Sequence, residues 1–204
     1  MSKGNWLVLS SANYFLDDAK DLCEIQGWYY QFKGRNSIPL KLLMALNNWE
    51  AWRKDAQLNH LEIKNIYEYL GSHVLPGFQK GKTLHSDTKY LMRDCRAEHG
   101  LVTDSVWYEA FEGLDPMTET YIRNMRANGE MINKNPRIIM STIHGAKGGE
   151  ADKVLLMQDI TNAALETFSH DPDELHRLFY TGATRAKREL QVLDTRDFDR
   201  AYIL

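Results

Sequence analysis

Apolar residues fall into short continuous runs at both ends of the chain and into helically spaced sets in its middle. Trp6-Leu7-Val8-Leu9-Ser10 is an apolar run closing on a small polar residue, the pattern of a strand buried in a parallel sheet. After it, Phe15, Ala19, Leu22, Cys23 and Ile25 recur at roughly helical spacing, and Gly27 supplies a stop. Trp28-Tyr29-Tyr30-Gln31-Phe32 reads as a second strand, so the opening strand–helix–strand predicts a right-handed crossover and a parallel pair.

From about Ile38 to about Arg126 helical patterns dominate. One helix begins at Leu40, with Pro39 suited to its first position, and another covers Leu61 to Leu70. Trp28, Trp49, Trp52 and Trp107 sit in or near this block and read as core, because large rings carry much of the burial energy of a small subdomain. After Pro136 the strand pattern returns in Arg137-Ile138-Ile139-Met140-Ser141-Thr142, then a glycine-rich turn, then Lys153 to Met157. Asp173 to Lys187 reads as a helix and Glu189 to Asp194 as a closing strand. The pattern predicts an α/β domain formed by residues 1–36 and 127–204, a parallel sheet with flanking helices, interrupted by a mainly helical insertion over 37–126.

Composition narrows this little. With 43% hydrophobic residues an ordinary core is affordable, and with 26% charged residues the chain is not a disordered one. The formal net charge of −3 argues against a uniformly basic nucleic-acid binder, so any such contact must come from locally placed cations and backbone amides. Cys23 and Cys95 match no metal spacing and read as free thiols of a reducing cytosol, which places the protein in the cytoplasm. No apolar run approaches bilayer length, so no membrane partner is expected.

Pro76-Gly77-Phe78-Gln79-Lys80-Gly81-Lys82-Thr83 nearly spells a phosphate-binding P-loop. That motif needs four residues between its glycines, and Gly77 and Gly81 enclose only three. Pro76 stands where the first glycine belongs, and proline has no amide proton for a phosphate. The segment reads as an ordinary basic turn.

Two other segments are more specific. Ser141-Thr142-Ile143-His144-Gly145-Ala146-Lys147-Gly148-Gly149-Glu150 and Arg177-Leu178-Phe179-Tyr180-Thr181-Gly182-Ala183-Thr184-Arg185-Ala186 lie in this order downstream of the insertion. Together they resemble motifs V and VI of superfamily 1 helicases of the UvrD/Rep/PcrA type, T-x-H-x-x-K-G-x-E and R-L-x-Y-x-G-x-T-R-A, matching every fixed position. The strand that opens the chain resembles motif IV of the same family, with Asn13 in place but Ser11 where a phosphate-contacting arginine is expected.

The resemblance implies the C-terminal RecA-like domain (2A) of an ATP-dependent DNA helicase, with a short 2B-type insertion. It implies that Thr142, His144 and Lys147 meet the phosphates of single-stranded DNA, and that Glu150 accepts a hydrogen bond from the ribose of ATP. Arg185 would be an arginine finger reaching the γ-phosphate, with Arg177 supporting the same site. ATP with Mg²⁺ would be gripped mainly by the N-terminal RecA-like domain of the same parent protein, whose P-loop, Walker B acid and motif III glutamine are not in this sequence; no metal ligand is expected here. The partners implied are that domain and single-stranded or duplex DNA. A degenerate, non-catalytic helicase-like module that binds DNA or protein is the alternative, and Ser11 is the residue that favours it. The segments also have a physical logic of their own. A strand, a glycine-rich turn and a helix start would set free amides at the carboxyl edge of a parallel sheet, where α/β folds bind ligands. Leu178, Tyr180 and Ala183 would pack the second segment on the sheet, with Arg177 and Arg185 on one helix.

Overall fold

Each apolar run at the chain ends becomes a strand of one sheet. The computed structural model describes residues 4–130, 135–146, 148–195 and 197–203. The chain divides into two compact units, Met1–Ser37 with Arg123–Leu204, and Ile38–Ile122.

In the first unit, β1 (Trp6–Ser10) is buried along its whole length. A 3-10 turn at Asn13–Leu16 leads into α1 (Asp17–Gln26). Gly27 ends α1 in the left-handed region at φ 65°. A β-carbon there would lie 2.4 Å from the carbonyl carbon of Asn124, so only glycine fits, by backbone geometry and by space together. β2 (Tyr30–Phe32) and β3 (Arg35–Asn36) form a hairpin.

The second unit contains α2 (Leu40–Trp52), β4 (Leu58–Asn59), α3 (His60–Tyr67), β5 (Lys89–Tyr90), α4 (Met92–Glu98), α5 (Trp107–Ala110) and the start of α6 (Pro116–Ala127), which carries the chain back to the first. Pro39 is the N-cap of α2 rather than its first helical residue: its ψ of 130° is not helical. A capping box starts α3. Asn59 Oδ1 accepts from the amides of Leu61 and Glu62 at 2.9 and 3.1 Å, and Glu62 returns a bond to the Asn59 amide at 2.8 Å. Trp49, Trp52 and Trp107 are core residues as expected. The indoles of Trp49 and Trp52 donate to the carbonyls of Ser105 and Tyr90, so their buried N–H groups are satisfied. The P-loop-like segment is a run of turns. A single 3-10 turn, Gly71–His73, stands before it, the next element is the two-residue β5, and Thr83 Oγ1 is bonded to His99 Nδ1 at 2.9 Å. No helix N-terminus is there to face a phosphate.

Back in the first unit come β6 (Ile138–Thr142), β7 (Ala151–Met157), α7 (Asn162–His170), α8 (Pro172–Ala183) and β8 (Ala186–Leu193). The six-stranded sheet runs β3-β2-β6-β1-β7-β8, and all neighbours except the β2–β3 hairpin are parallel. It is a mixed α/β sheet flanked by helices, as the sequence predicts. One expectation fails: β1 and β2 run parallel but are not paired. β6 lies between them, bonding β1 from Trp6↔Ile138 to Ser10↔Thr142 and β2 from Tyr30↔Ile138 to Phe32↔Met140. A strand that follows the insertion has entered the gap, which local crossover logic cannot foresee.

α8 ends earlier than its pattern suggests, at Ala183, and β8 starts at Ala186 rather than Glu189. Arg185 therefore lies in the link beyond the helix, not on it. Tyr180 is 71% exposed and does not pack on the sheet. The face that packs is Leu175, Phe179 and Gly182, with Leu178 and Ala183 beside it, against Leu7, Leu9, Val154, Leu156 and Ile143. Gly182 lets the helix come close: a β-carbon there would stand 3.1 Å from Leu156 Cδ1.

Candidate nucleotide and nucleic-acid site

The turn after β6 is built on Thr142. Its Oγ1 accepts the Gly145 amide at 3.1 Å and its carbonyl accepts the Ala146 amide at 3.0 Å. The Ile143 amide donates to the Ser10 carbonyl at 2.9 Å, tying the turn to the end of β1. The expected row of free amides is thus shorter than anticipated, because the turn closes on itself and on β1. Gly148, at φ 87°, then redirects the chain, and Glu150 enters β7 exposed to solvent. His144 is exposed. Lys147 lies outside the described residues.

The second segment arrives beside the first. The Ala151 amide donates to the Arg185 carbonyl at 3.1 Å, which sets the start of β7 against the start of β8. Glu150 consequently sits next to Lys187, with 3.3 Å between Oε2 and Nζ. Both side chains are more than half exposed, so this pair contributes little to stability and can open. The half-buried Arg185 turns its Nε back onto the Thr181 carbonyl at 3.0 Å, an arginine closing the last turn of α8. Among the described residues, Arg185 has no carboxylate partner. Its terminal guanidinium nitrogens are oriented by a fixed Nε rather than consumed by an ion pair.

The residues fall into three places. Thr142 and Glu150 line one cavity of about 760 Å³, over the sheet face formed by Leu7, Ile139 and Ser141. His144 and Arg177 meet in another, smaller cleft of about 250 Å³, together with Glu174 and Thr181. Arg185 stands just before β8, its carbonyl bonded to the Ala151 amide that follows Glu150. Thr142 and His144 belong to the carboxyl end of β6, whereas Glu150 and Arg185 belong to the amino ends of β7 and β8. Lys187 and Glu174 are neighbours that the sequence did not mark. Their only signal is charge opposite to that of Glu150 and Arg177. Ser11 is occupied structurally: its hydroxyl donates to the Asp159 carbonyl at 2.7 Å. Among the described residues, no three His, Cys, Asp or Glu side chains converge as metal ligands, and no helix is long and apolar enough to cross a membrane.

The Thr142 turn, α8 and Arg185 all lie within residues 112–196, and that stretch matches the model of the UvrD-like helicase C-terminal domain. That stretch is similar to a UvrD-like helicase C-terminal domain. No curated protein sequence matches the chain. The match begins in the second unit, before α6, and ends just past β8. It includes the packing of α8 on Ile143 and Leu156 that holds the two motif segments together.

Proposed function

We propose that the chain is the C-terminal motor domain of an ATP-dependent DNA helicase or translocase. Arg185 acts as the arginine finger, Glu150 receives the ribose, and Arg177 supports that site. Thr142, His144 and Lys147 meet DNA phosphates. ATP and Mg²⁺ are held chiefly by the N-terminal RecA-like domain of the parent protein. The observation that carries the reading is the pairing of Ala151 with Arg185, which joins the backbones of the two motif segments at the starts of β7 and β8, with Glu150 one residue before the pair. The donor set fits the outer edge of a nucleotide: one carboxylate for hydroxyls and one guanidinium for phosphate oxygens. When bound, the nucleotide with its metal supplies the phosphoryl group. Arg185 stabilises charge that spreads over the equatorial oxygens during transfer. The Thr181 carbonyl fixes its Nε, so less rotamer freedom is lost as the terminal nitrogens engage.

The test is hydrolysis by the purified chain with saturating single-stranded DNA, beside the full-length parent. The chain alone is expected to give none, and the parent to turn over. Turnover by the chain that Lys82→Ala abolishes would overturn the reading in favour of the P-loop-like turn. A second reading, a non-catalytic helicase-like module, is favoured by one observation: Ser11 brings no charge and spends its hydroxyl on the Asp159 carbonyl. A parent that binds DNA but never hydrolyses ATP would establish it.

A further inference from the structure

β7 and β8 do not keep step where they begin. Ala151 pairs with Ala186 and Lys153 with Glu189, so two steps along β7 face three along β8. The extra residue falls at Lys187 and Arg188, and such a bulge re-aims the side chains it carries. In an unbroken register Arg188 would stand opposite Lys153, like charge against like. The shift brings Glu189 to that place instead, and its Oε2 lies 2.7 Å from Lys153 Nζ. Lys187 and Arg188 then share the position opposite Asp152. Arg188 takes Asp152, with 3.7 Å between Nε and Oδ1, and Lys187 reaches back to Glu150, with 3.3 Å between Nζ and Oε2.

Lys187 thus meets the carboxylate that is read above as the ribose contact. A bare carboxylate is a poor neighbour for a polyphosphate, because the two negative charges repel. An ammonium on Oε2 offsets that repulsion and restrains the carboxylate, while Oε1 can still accept a hydroxyl. Both side chains are more than half exposed, so the pair does little for stability. What it changes is the charge and the orientation that a ligand meets at Glu150.

We propose that Lys187 is a positioning residue of the nucleotide site. It holds the Glu150 carboxylate ready for a ribose hydroxyl and neutralises it toward the phosphates. Lys187 therefore acts through Glu150 and not on the nucleotide itself. The proposal rests on the reading of Glu150 as the ribose contact.

The experiment is calorimetric titration of the purified full-length parent, in Mg²⁺, with a non-hydrolysable ATP analogue in its ribose and dideoxyribose forms. The wild type is expected to prefer the ribose form, and Glu150→Ala to lose that preference. Lys187→Ala weakens binding of the ribose form by about five- to tenfold, the scale of one charge interaction at a partly exposed site. Lys187→Arg, which keeps the charge, restores it. The same Lys187→Ala change made in Glu150→Ala costs far less, because no carboxylate is left to hold or neutralise. Melting temperatures should match the wild type throughout, since both side chains are exposed. A parent without ribose preference, or one that keeps it in Glu150→Ala, overturns the ribose reading and this proposal with it. A preference that Glu150→Ala removes, beside unchanged binding in Lys187→Ala, overturns this proposal alone. So does an equal loss from Lys187→Ala in both backgrounds, which would mean that Lys187 meets the nucleotide directly.

Discussion

Arg185 is held at one end and open at the other. Its Nε is fixed on the Thr181 carbonyl, and no described carboxylate competes for the remaining nitrogens. Replacing it by Ala in the full-length parent is expected to lower DNA-stimulated ATP hydrolysis by ~10³–10⁵-fold. Arg185→Lys should fall nearly as far, because an ammonium has neither the planar fork nor an Nε to close α8. Single-strand binding should survive both changes, since Thr142 and His144 stand at the other end of the strands. Steady-state hydrolysis and a binding titration on the same preparations check this, and near wild-type turnover by Arg185→Ala would remove the finger role. The two cysteines lead to a different expectation. Burial pushes the Cys23 and Cys95 thiols up from 9.0 to about 12. A folded-state value above the unfolded one contributes stability that is fully present below pH 9 and is lost as pH rises toward 12. At neutral pH both thiols should resist a disulfide reagent in the folded chain and react once denaturant is added. Rapid reaction of either under native conditions would contradict its burial.

At the scale of elements, stops and close approaches decide more than propensity does. Gly27 ends α1 at φ 65°, and a β-carbon on it would run into the Asn124 backbone. Gly27→Ala combines a left-handed alanine with a backbone clash. It is expected to cost about 2–4 kcal/mol, read as a lower denaturant midpoint with little change in slope. A stability equal to wild type would mean that α6 can shift away from α1 at no cost. α8 shows where element patterns mislead. Its apolar residues continue a helical spacing past Ala183, but the Thr184 and Arg185 amides are already closing turns onto Tyr180 and Gly182. The Arg185 carbonyl is taken by Ala151 of β7. Strand pairing wins because it satisfies a partner strand's amide that would otherwise be left unpaired. Tyr180 reads as packed in the linear pattern and emerges 71% exposed, since Phe179 and Gly182 occupy the side facing the sheet.

For the whole molecule, a net charge of −3 and a short list of candidate DNA contacts set the expectation for binding. The chain alone should bind single strands weakly and with little sequence preference, because the contacts proposed go to phosphates. Affinity should fall steeply as salt rises, with a slope that reports only a few phosphate contacts. Titration at two salt concentrations checks it. Tight, salt-insensitive binding would point instead to ring stacking, and Trp49, Trp52 and Trp107 are too buried to provide it.

The sequence by itself determined the α/β class, the strands β1, β6 and β7, the stop at Gly27 and the helicase resemblance of the Thr142–Glu150 and Arg177–Arg185 segments. These were legible because each rests on local rules: continuous apolar runs, a left-handed glycine, and motif residues at fixed spacing. Only the tertiary structure decided that β6 separates β1 from β2, that Ala151 and Arg185 pair where β7 and β8 begin, and that Thr142 spends its side chain on its own turn. It also left Leu22 and Ile25 outside the core although they complete the helical pattern of α1. The physical reason is common to all four. Strand order, and which face of a helix is buried, depend on which distant segment removes the most apolar surface and pairs the most backbone, and spacing along the chain does not encode that.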